Sequence, residues 1–437
     1  MKKIRLGLIG CGVVGGGVLR LLKRRGDEIA SCVGADIEVV KIAVRDLARK
    51  RPDILNDSML TADPFDIVNS NDVDIVVEVM GGEEPALALA LKSAEHKKHI
   101  VTANKYLLAL HGEKVFRAVE EHNVEIGYEA AVAGAVPIIS SLKGSLAGNR
   151  INSIHGIVNG TANYILSRMT AEGGAFDDIL KDAQKLGYAE ADPAFDIEGT
   201  DSAHKTAILA ALAFKTPVDF DDIYVEGITG ITSEDIAMAC EFGYRIKLLA
   251  IAKRVDGGID VRVHPAMVPE NTPIAKVSGA LNAVEVDGDF CGVNMLVGPG
   301  AGAGPTASAI MGDVIDIARK IVAGSAGSSC PINAPVASMK KIKVRSIGEV
   351  TTQYYLRFTV MDMPGVLSKL SGALGERGIS IASMIQRGKG VEKPVSVVMK
   401  THTAKEADLN VAIDNINGFD ICSAPAVVIR IENGEGQ

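Results

Sequence analysis

The sequence predicts an α/β chain in three parts: a doubly wound parallel sheet, an α+β part with an open sheet, and a small βαββαβ unit at the C-terminus. Three observations carry this. Residues 3–10, KIRLGLIG, are a short branched apolar run that leads through GCGVVG at 10–15 into a helical pattern. Further apolar runs at 37–44, 72–82, 99–109 and from 124 alternate with amphipathic stretches. Beyond residue 350 the runs fall in the order strand, helix, strand, strand, helix, strand, which is that of a ferredoxin-like unit.

The first strand, turn and helix place a G-x-G-x-x-G pattern where it carries meaning, at the head of a Rossmann-type nucleotide-binding domain. Gly10 permits the tight turn, Gly12 lets a pyrophosphate approach the backbone, and Gly15 lets helix pack on strand; Val13 and Val14 complete the turn. A site for NAD expects an acidic residue at the end of the second strand. Arg45 stands there, with Asp46, Arg49, Lys50 and Arg51 after it. A guanidinium suits a ribose 2′-phosphate, so NADP is expected over NAD; a solvated basic loop is the plain alternative.

The run 99–109 reads as a strand that carries Thr102, Asn104 and Lys105 to the carboxyl edge of the sheet, where ligands of such sheets bind. Glu129 follows the fifth strand, and the turn 131–136 can aim backbone carbonyls at one hard cation. After Gly148 come a strand ending at Asn159, two helices, an acidic loop and further strands. Gly298, Gly300, Gly302 and Gly304 allow another close backbone approach to a ligand, and the helix at 306–321 is expected to return to the first domain. The expected boundaries are 1–148 with about 305–325 for the nucleotide-binding domain, 149–304 for substrate binding and dimerisation, a linker at 325–350, and 351–432 for the last module.

The densest chemistry lies in LGYAEADPAFDIEGTDSAHK, 186–205. Glu190, Asp192, Asp196, Glu198 and Asp201 stud a loop kept irregular by Pro193 and Gly199, and a buried helix begins near Thr200. Asp201 and Lys205, four apart, share a face of that helix. Carboxylates suit a substrate ammonium and a lysine can move a proton. The plain alternative is a surface ion pair of about 0.3–0.5 kcal/mol. His204 points roughly 100° round the helix from Lys205 and reads as packing.

Composition limits the rest. The net charge of −8, the lack of tryptophan and a 4% aromatic share argue against nucleic-acid partners. Six cysteines without CxxC pairs suit reduced thiols in a cytoplasm, and no apolar run is long enough to span a bilayer.

GLIGCGVVG, VVEVMGG, VTANK, GIVNGTANYIL and above all the E-x-D-P-x-x-D-x-x-G-x-D-x-x-x-K segment ending at Lys205 resemble homoserine dehydrogenase, and the DMPGVL turn resembles a C-terminal ACT domain. The resemblance covers nearly the whole chain, without a kinase domain. It implies reversible NAD(P)-dependent conversion of L-homoserine to L-aspartate 4-semialdehyde, in threonine, methionine and isoleucine biosynthesis. It implies that Lys205 is the acid/base and Lys105 a second active-site lysine. Gly187 and Glu190 would contact homoserine, with Asp196 and Asp201 in support. Gly10, Gly12, Val13, Val14, Gly15, Arg45, Thr102, Lys105 and Gly302 would hold the cofactor. Glu129, Val132, Gly134 and Val136 would hold sodium, a homodimer or homotetramer would form, and threonine would act through the ACT domain. The two lysines are expected to come one from each domain, from a sheet tip and from a helix.

Two other readings compete. A semialdehyde dehydrogenase would need a cysteine nucleophile, but Cys11 lies inside the cofactor turn and no other cysteine sits convincingly beside a histidine. A non-catalytic amino-acid sensor would have no use for Lys105, Lys205 and Glu190.

Overall fold

The computed structural model describes residues 2–49, 51, 57–387 and 394–432; Lys50 lies outside the described residues. The chain opens with β1 (Lys2–Ile9), α1 (Val13–Val33), β2 (Ala35–Ala43), β3 (Leu60–Thr61), α2 (Phe65–Val68), β4 (Ile75–Glu78), α3 (Ala86–Glu95), β5 (His99–Thr102), α4 (Lys105–His122), β6 (Ile126–Gly127) and α5 (Ile138–Lys143). It continues with β7 (Ile151–Ile157), α6 (Gly160–Glu172), α7 (Phe176–Lys185), α8 (Ala194–Ile197), α9 (Thr200–Phe214), β8 (Tyr224–Val225), α10 (Ser233–Glu241), β9 (Tyr244–Val255) and β10 (Gly258–Pro269). Then follow β11 (Leu281–Gly288), β12 (Gly292–Pro299), α11 (Ala303–Ala323), β13 (Thr351–Met361), α12 (Val366–Gly375), β14 (Ile381–Arg387), β15 (Pro394–Thr401), β16 (Ala404–Lys405), α13 (Glu406–Asn417) and β17 (Cys422–Ile431).

Contacts divide the chain into two compact units. The first holds residues 1–160, 201–221 and 280–342; the second holds 161–200, 222–279 and 343–437. These cut the chain at other points than the expected boundaries. The acidic loop and the helix after it, contiguous in sequence, separate at Thr200–Asp201.

In the first unit a parallel sheet runs in the order β3-β2-β1-β4-β5-β6. Its strands are short and branched, and both faces are covered, as parallel sheets require. Ile4, Leu6 and Leu8 of β1 pack with Val18 of α1 and with Ile310, Val314 and Ile317 of α11. A side chain at Gly17 would collide with the Ala303 carbonyl, so this glycine sets how closely α1 meets α11. β7, β11 and β12 form an antiparallel ribbon in the same unit. Helix α9 is buried on nearly every side, which matches its apolar stretch AILAALAF.

Two expectations need correction here. The run 99–109 is not one strand: β5 stops at Thr102, and Asn104 caps α4 by accepting the Leu107 N–H at 3.1 Å. Lys105 is therefore the first residue of a helix. Nor is 325–342 a free connection. Tyr128 donates to the Pro331 carbonyl at 2.7 Å, Asn333 to that of Leu142 at 2.9 Å, and the Gly327 N–H to Glu125 at 2.8 Å.

In the second unit, β17-β13-β15-β14 form the antiparallel ferredoxin-like sheet, with α12 and α13 sharing its core. This sheet does not stop at the module. β17 also pairs in parallel with β10 (Ala266↔Arg430, Met267↔Ile431), and β10 pairs with β9. Buried ion pairs reinforce the seam. Arg430 holds Glu406 and Glu226, and Arg357 and Tyr355 both reach Asp235 in the capping box of α10. No helix among the described residues is long and apolar enough to cross a membrane.

Candidate active site

The chain leaves β1 through Gly10, whose φ of +101° lies in the left-handed region and whose N–H bonds the Ala43 carbonyl at 2.9 Å. A Cβ at Gly15 would strike the Gly10 carbonyl, whereas one at Gly12 would meet open space. The N-terminus of α1 has no side-chain cap, and Val13 is 71% exposed. Uncapped N–H groups beside an unobstructed glycine fit a pyrophosphate. A cleft of about 460 Å³ adjoins the turn, lined by Cys11, Gly12, Arg45, Arg49 and Arg51 among others. Arg45 is exposed there. Gly302, with φ +118°, is the N-cap of α11 and also lacks a side-chain cap.

Beneath the carboxyl edge of the sheet lies a network the sequence did not reveal. Glu78, 4% exposed, accepts the N–H groups of Met80 and Gly81 at 2.8 and 3.1 Å. Thr102 donates to its other oxygen at 2.7 Å and accepts the Asn104 N–H at 3.0 Å; Asn104 in turn donates to the Gly82 carbonyl at 2.7 Å. The hydroxyl of Thr102, expected to be a cofactor-binding residue, is buried and engaged. It shapes the edge from below, because a buried carboxylate needs donors.

This network delivers Lys105 to the central feature. Asp201, at the start of α9, is buried with its side chain 3% exposed. Lys105 Nζ lies 2.6 Å from one carboxylate oxygen and Lys205 Nζ 2.7 Å from the other. Asn159 donates to the oxygen on the Lys205 side at 2.8 Å, and Lys205 also donates to the Val158 carbonyl at 2.7 Å. Burial opposes the charge on Asp201, but the attraction of Lys205 and Lys105 and their hydrogen bonds override it and hold the carboxyl well below the usual range. Asn282, 1% exposed, donates to the same Val158 carbonyl at 3.1 Å, while its own amide oxygen has no hydrogen-bond partner among the described residues. Both lysines thus come from helices of one unit, not one from each domain. The cause is Asp201, whose two oxygens draw them together. His204 lies beside this cluster: burial lowers its pKa to about 4 against the pull of Asp201, and its ring stacks on Phe220 with centroids 4.5 Å apart.

The remaining loop residues belong to the second unit. Gly187 turns with φ +78°, and Glu190 is exposed, its carboxylate without a hydrogen bond or ion pair among the described residues. Asp196 lies in the short helix α8, where Thr161 Oγ1 sits 3.1 Å from it and 2.7 Å from the Tyr188 carbonyl. Tyr188 stacks on Tyr164 at 4.4 Å, which fixes the loop's first half.

Glu129 is 6% exposed and caps α5, accepting the N–H groups of Ile139 and Ser140, both at 2.8 Å. The turn after it passes through Ala133 and Gly134 at φ +56° and +59°. Val132 and Gly134 are buried, and their carbonyls accept no hydrogen bond among the described residues; that of Val136 accepts the Ile138 N–H at 2.8 Å. Two unpaired buried carbonyls fit a hard cation. No group of three or more His, Cys, Asp or Glu side chains among the described residues could hold a metal.

Sequence reasoning singled out Asp201, Lys205 and Lys105 but missed Asn159, Asn282 and Glu78. The N-G at 159–160, just after a strand, was the one available signal for Asn159.

Residues 137–315 match the family model described as homoserine dehydrogenase, 10–129 the one described as homoserine dehydrogenase, NAD binding domain, and 354–419 that of the ACT domain. The chain is 44% identical to a homoserine dehydrogenase of Neisseria gonorrhoeae over 99% of both chains. It superposes on the crystal structure of a homoserine dehydrogenase from Thiobacillus denitrificans with TM-score 0.93 and 44% identity, covering 99% of each. A hyperthermophilic archaeal homoserine dehydrogenase in complex with NADPH is similar over 72% of this chain and 97% of its own, with TM-score 0.62 and 25% identity.

Proposed function

Because the chain belongs to the homoserine dehydrogenase family, we propose a role for each part of its site in the reaction of that family. The enzyme interconverts L-homoserine and L-aspartate 4-semialdehyde with NAD(P), in threonine, methionine and isoleucine biosynthesis. The bound nicotinamide supplies the hydride acceptor in the oxidising direction and the donor in reverse. Lys205 is the acid/base: it accepts the proton of the homoserine hydroxyl as the alcohol carbon is oxidised, and returns it to the aldehyde oxygen in reduction. Lys105 is the second cation, serving the substrate and the nicotinamide side. Asp201 orients both amines, and the observation that carries the reading is its buried carboxylate held between them. Glu190 and Asp196, with the Gly187 turn, receive the substrate ammonium; the unpaired Glu190 carboxylate supports this.

Gly10, Gly12, Val13, Val14 and Gly15 cradle the pyrophosphate, with Gly302 at the second helix start and Thr102 contributing backbone only. NADP is the preferred nucleotide, supported by the exposed Arg45 and by the archaeal relative with NADPH. Sodium would be held by carbonyls of Val132, Gly134 and Val136 and by the remaining lone pairs of Glu129. Threonine is the proposed effector of the ACT domain. A homodimer or homotetramer is supported by exposed Phe290, Val293 and Val297 on the β11–β12 hairpin. A reducing cytoplasm is supported by cysteines that form no disulfide among the described residues.

Steady-state oxidation of homoserine with NADP and NAD in parallel tests the reading. Faster turnover at low NADP is expected; equal use of both nucleotides would sink the Arg45 assignment, and no homoserine-dependent reduction of either would sink the whole.

A further inference from the structure

We propose that Glu226 and Arg430 are positioning residues for the substrate, on the reading that Asp196 and the loop before it receive homoserine. Together they fix residues 224–228, and through these the short helix α8 that carries Asp196, on a buried ion pair of the C-terminal module.

α8 is too short to hold itself. It is four residues long, barely one turn, and Pro193 at its N-cap makes no side-chain bond. The chain at 226–228 supports it. Ile228, fully buried, donates its N–H to the Ile197 carbonyl at 2.8 Å. A Cβ at Gly227 would lie 2.5 Å from that same carbonyl and 2.6 Å from the α-carbon of Glu198, so a glycine is what lets the two backbones meet. Gly199, at φ +89°, then turns the chain out of α8.

The supporting stretch is short as well. β8 has two residues, paired with Arg262 and Val263 of β10, and the Glu226 N–H adds one bond, to the Val263 carbonyl at 2.8 Å. Its side-chain anchor comes from β17. Arg430 donates to the Glu226 carboxylate at 2.7 Å and to the Tyr224 hydroxyl at 3.1 Å, and its guanidinium lies 4.8 Å over the Tyr224 ring. Tyr224 in turn donates to Glu226 at 2.8 Å. On its other side Arg430 donates twice to Glu406, the first residue of α13, and Tyr354 of β13 donates to the same carboxylate at 3.0 Å.

The charges separate a stabilising bond from a positioning one. The side chains of Glu406 and Arg430 are 2% and 5% exposed and neutralise each other, as a buried pair must. Arg430 therefore has no electrostatic need of a second carboxylate, and Glu226, 36% exposed, would stay hydrated without it. What the second contact adds is direction. A planar guanidinium gripped by two bonds on one side presents its remaining N–H groups along a fixed line, and Glu226 lies on that line. The module thereby sets the affinity for homoserine and leaves the hydride step alone.

The test compares the intact protein with Glu226→Ala, Glu226→Gln and Gly227→Ala. The KM for homoserine should rise roughly fivefold in Glu226→Ala and in Gly227→Ala, with kcat and the nucleotide KM within about twofold of the parent. Glu226→Gln, which still accepts from Arg430 and Tyr224, should restore most of the parent KM. Hydrogen exchange read by mass spectrometry should quicken in Glu226→Ala at Ile228 and across residues 194–199, with α12 unchanged. Arg430 keeps Glu406 in that variant, so it is expected to fold. Unchanged exchange at Ile228 and α8 overturns the positioning role whatever the kinetics, and exchange quickened throughout, α12 included, reduces the contact to stability alone and overturns it too. Faster local exchange with an unchanged homoserine KM overturns the proposal through the assignment of Asp196 to the substrate.

Discussion

Lys105 meets Asp201 at 2.6 Å, on the carboxylate oxygen opposite to the one that takes Lys205. One buried acid thus fixes the spacing of two amines brought from positions a hundred residues apart. Removing that acid leaves two cations near each other with nothing between them. Asp201→Asn is expected to lower kcat by roughly 10²-fold or more through lost orientation, and to cost about 3–5 kcal/mol of stability as a broken buried pair. Urea unfolding and steady-state kinetics on the same preparation check both. Because the folded carboxyl is depressed, its contribution is present above the unfolded value and lost only as pH falls through the folded one, in strong acid. The wild type minus variant stability difference should therefore be flat from about pH 5 upward.

Lys205→Ala should reduce homoserine oxidation by about 10²–10⁴-fold, the range of a lost acid/base. Fluorescence titration should show NADPH binding within a few-fold of the parent. Turnover close to wild type would move the proton transfer elsewhere.

Asn282→Ala removes the second donor to the Val158 carbonyl, which then holds Lys205 alone. A drop in kcat of about tenfold with little change in the KM for homoserine is expected, together with about 1 kcal/mol of lost stability. Stability loss without the kcat effect would mean that the amide only fills space.

Asp313 gives a pH signature in the opposite sense to Asp201. Its folded pKa, about 7, lies above the unfolded carboxyl value, so the native state binds more protons across that window and stability falls as pH rises through it. Chemical denaturation between about pH 4 and 7 should show this slope, and Asp313→Asn should flatten it.

Arg45→Ala should raise the KM for NADP about tenfold while that for NAD changes little, since one charged hydrogen bond to phosphate is worth roughly 1.5–3 kcal/mol. Parallel initial rates with both nucleotides settle this.

Much of the site was legible because its chemistry is local. The strand–glycine–helix at 3–22 has a fixed geometry, and Asp201 and Lys205 are one helical turn apart. The ferredoxin-like order was readable from alternation alone. Lys105 was misplaced on a strand because VTANKYLLAL is a short apolar run that suits either element; the overlooked signal was Asn104 as a helix cap. Asn282 and Glu78 reach the site by folding across long stretches of chain, and nothing in their own neighbourhoods announces that; for Asn159 the only local sign is the N-G that follows its strand. The same holds for Gly17, whose role is set by Ala303 on a helix formed much later. The pairing of β17 with β10 was invisible because both strands read as complete within their own parts.

That last pairing has a consequence for how the protein is made. Met267 waits for Ile431, a residue 164 positions further along the chain (431 − 267). Until then the stretch of β10 at Ala266 and Met267 carries bare backbone donors and acceptors, the kind of surface that recruits stray strands from other nascent chains. A chain interrupted before β17 (Cys422–Ile431) would then show itself first as aggregation of newly made protein, well before any kinetic defect could be measured.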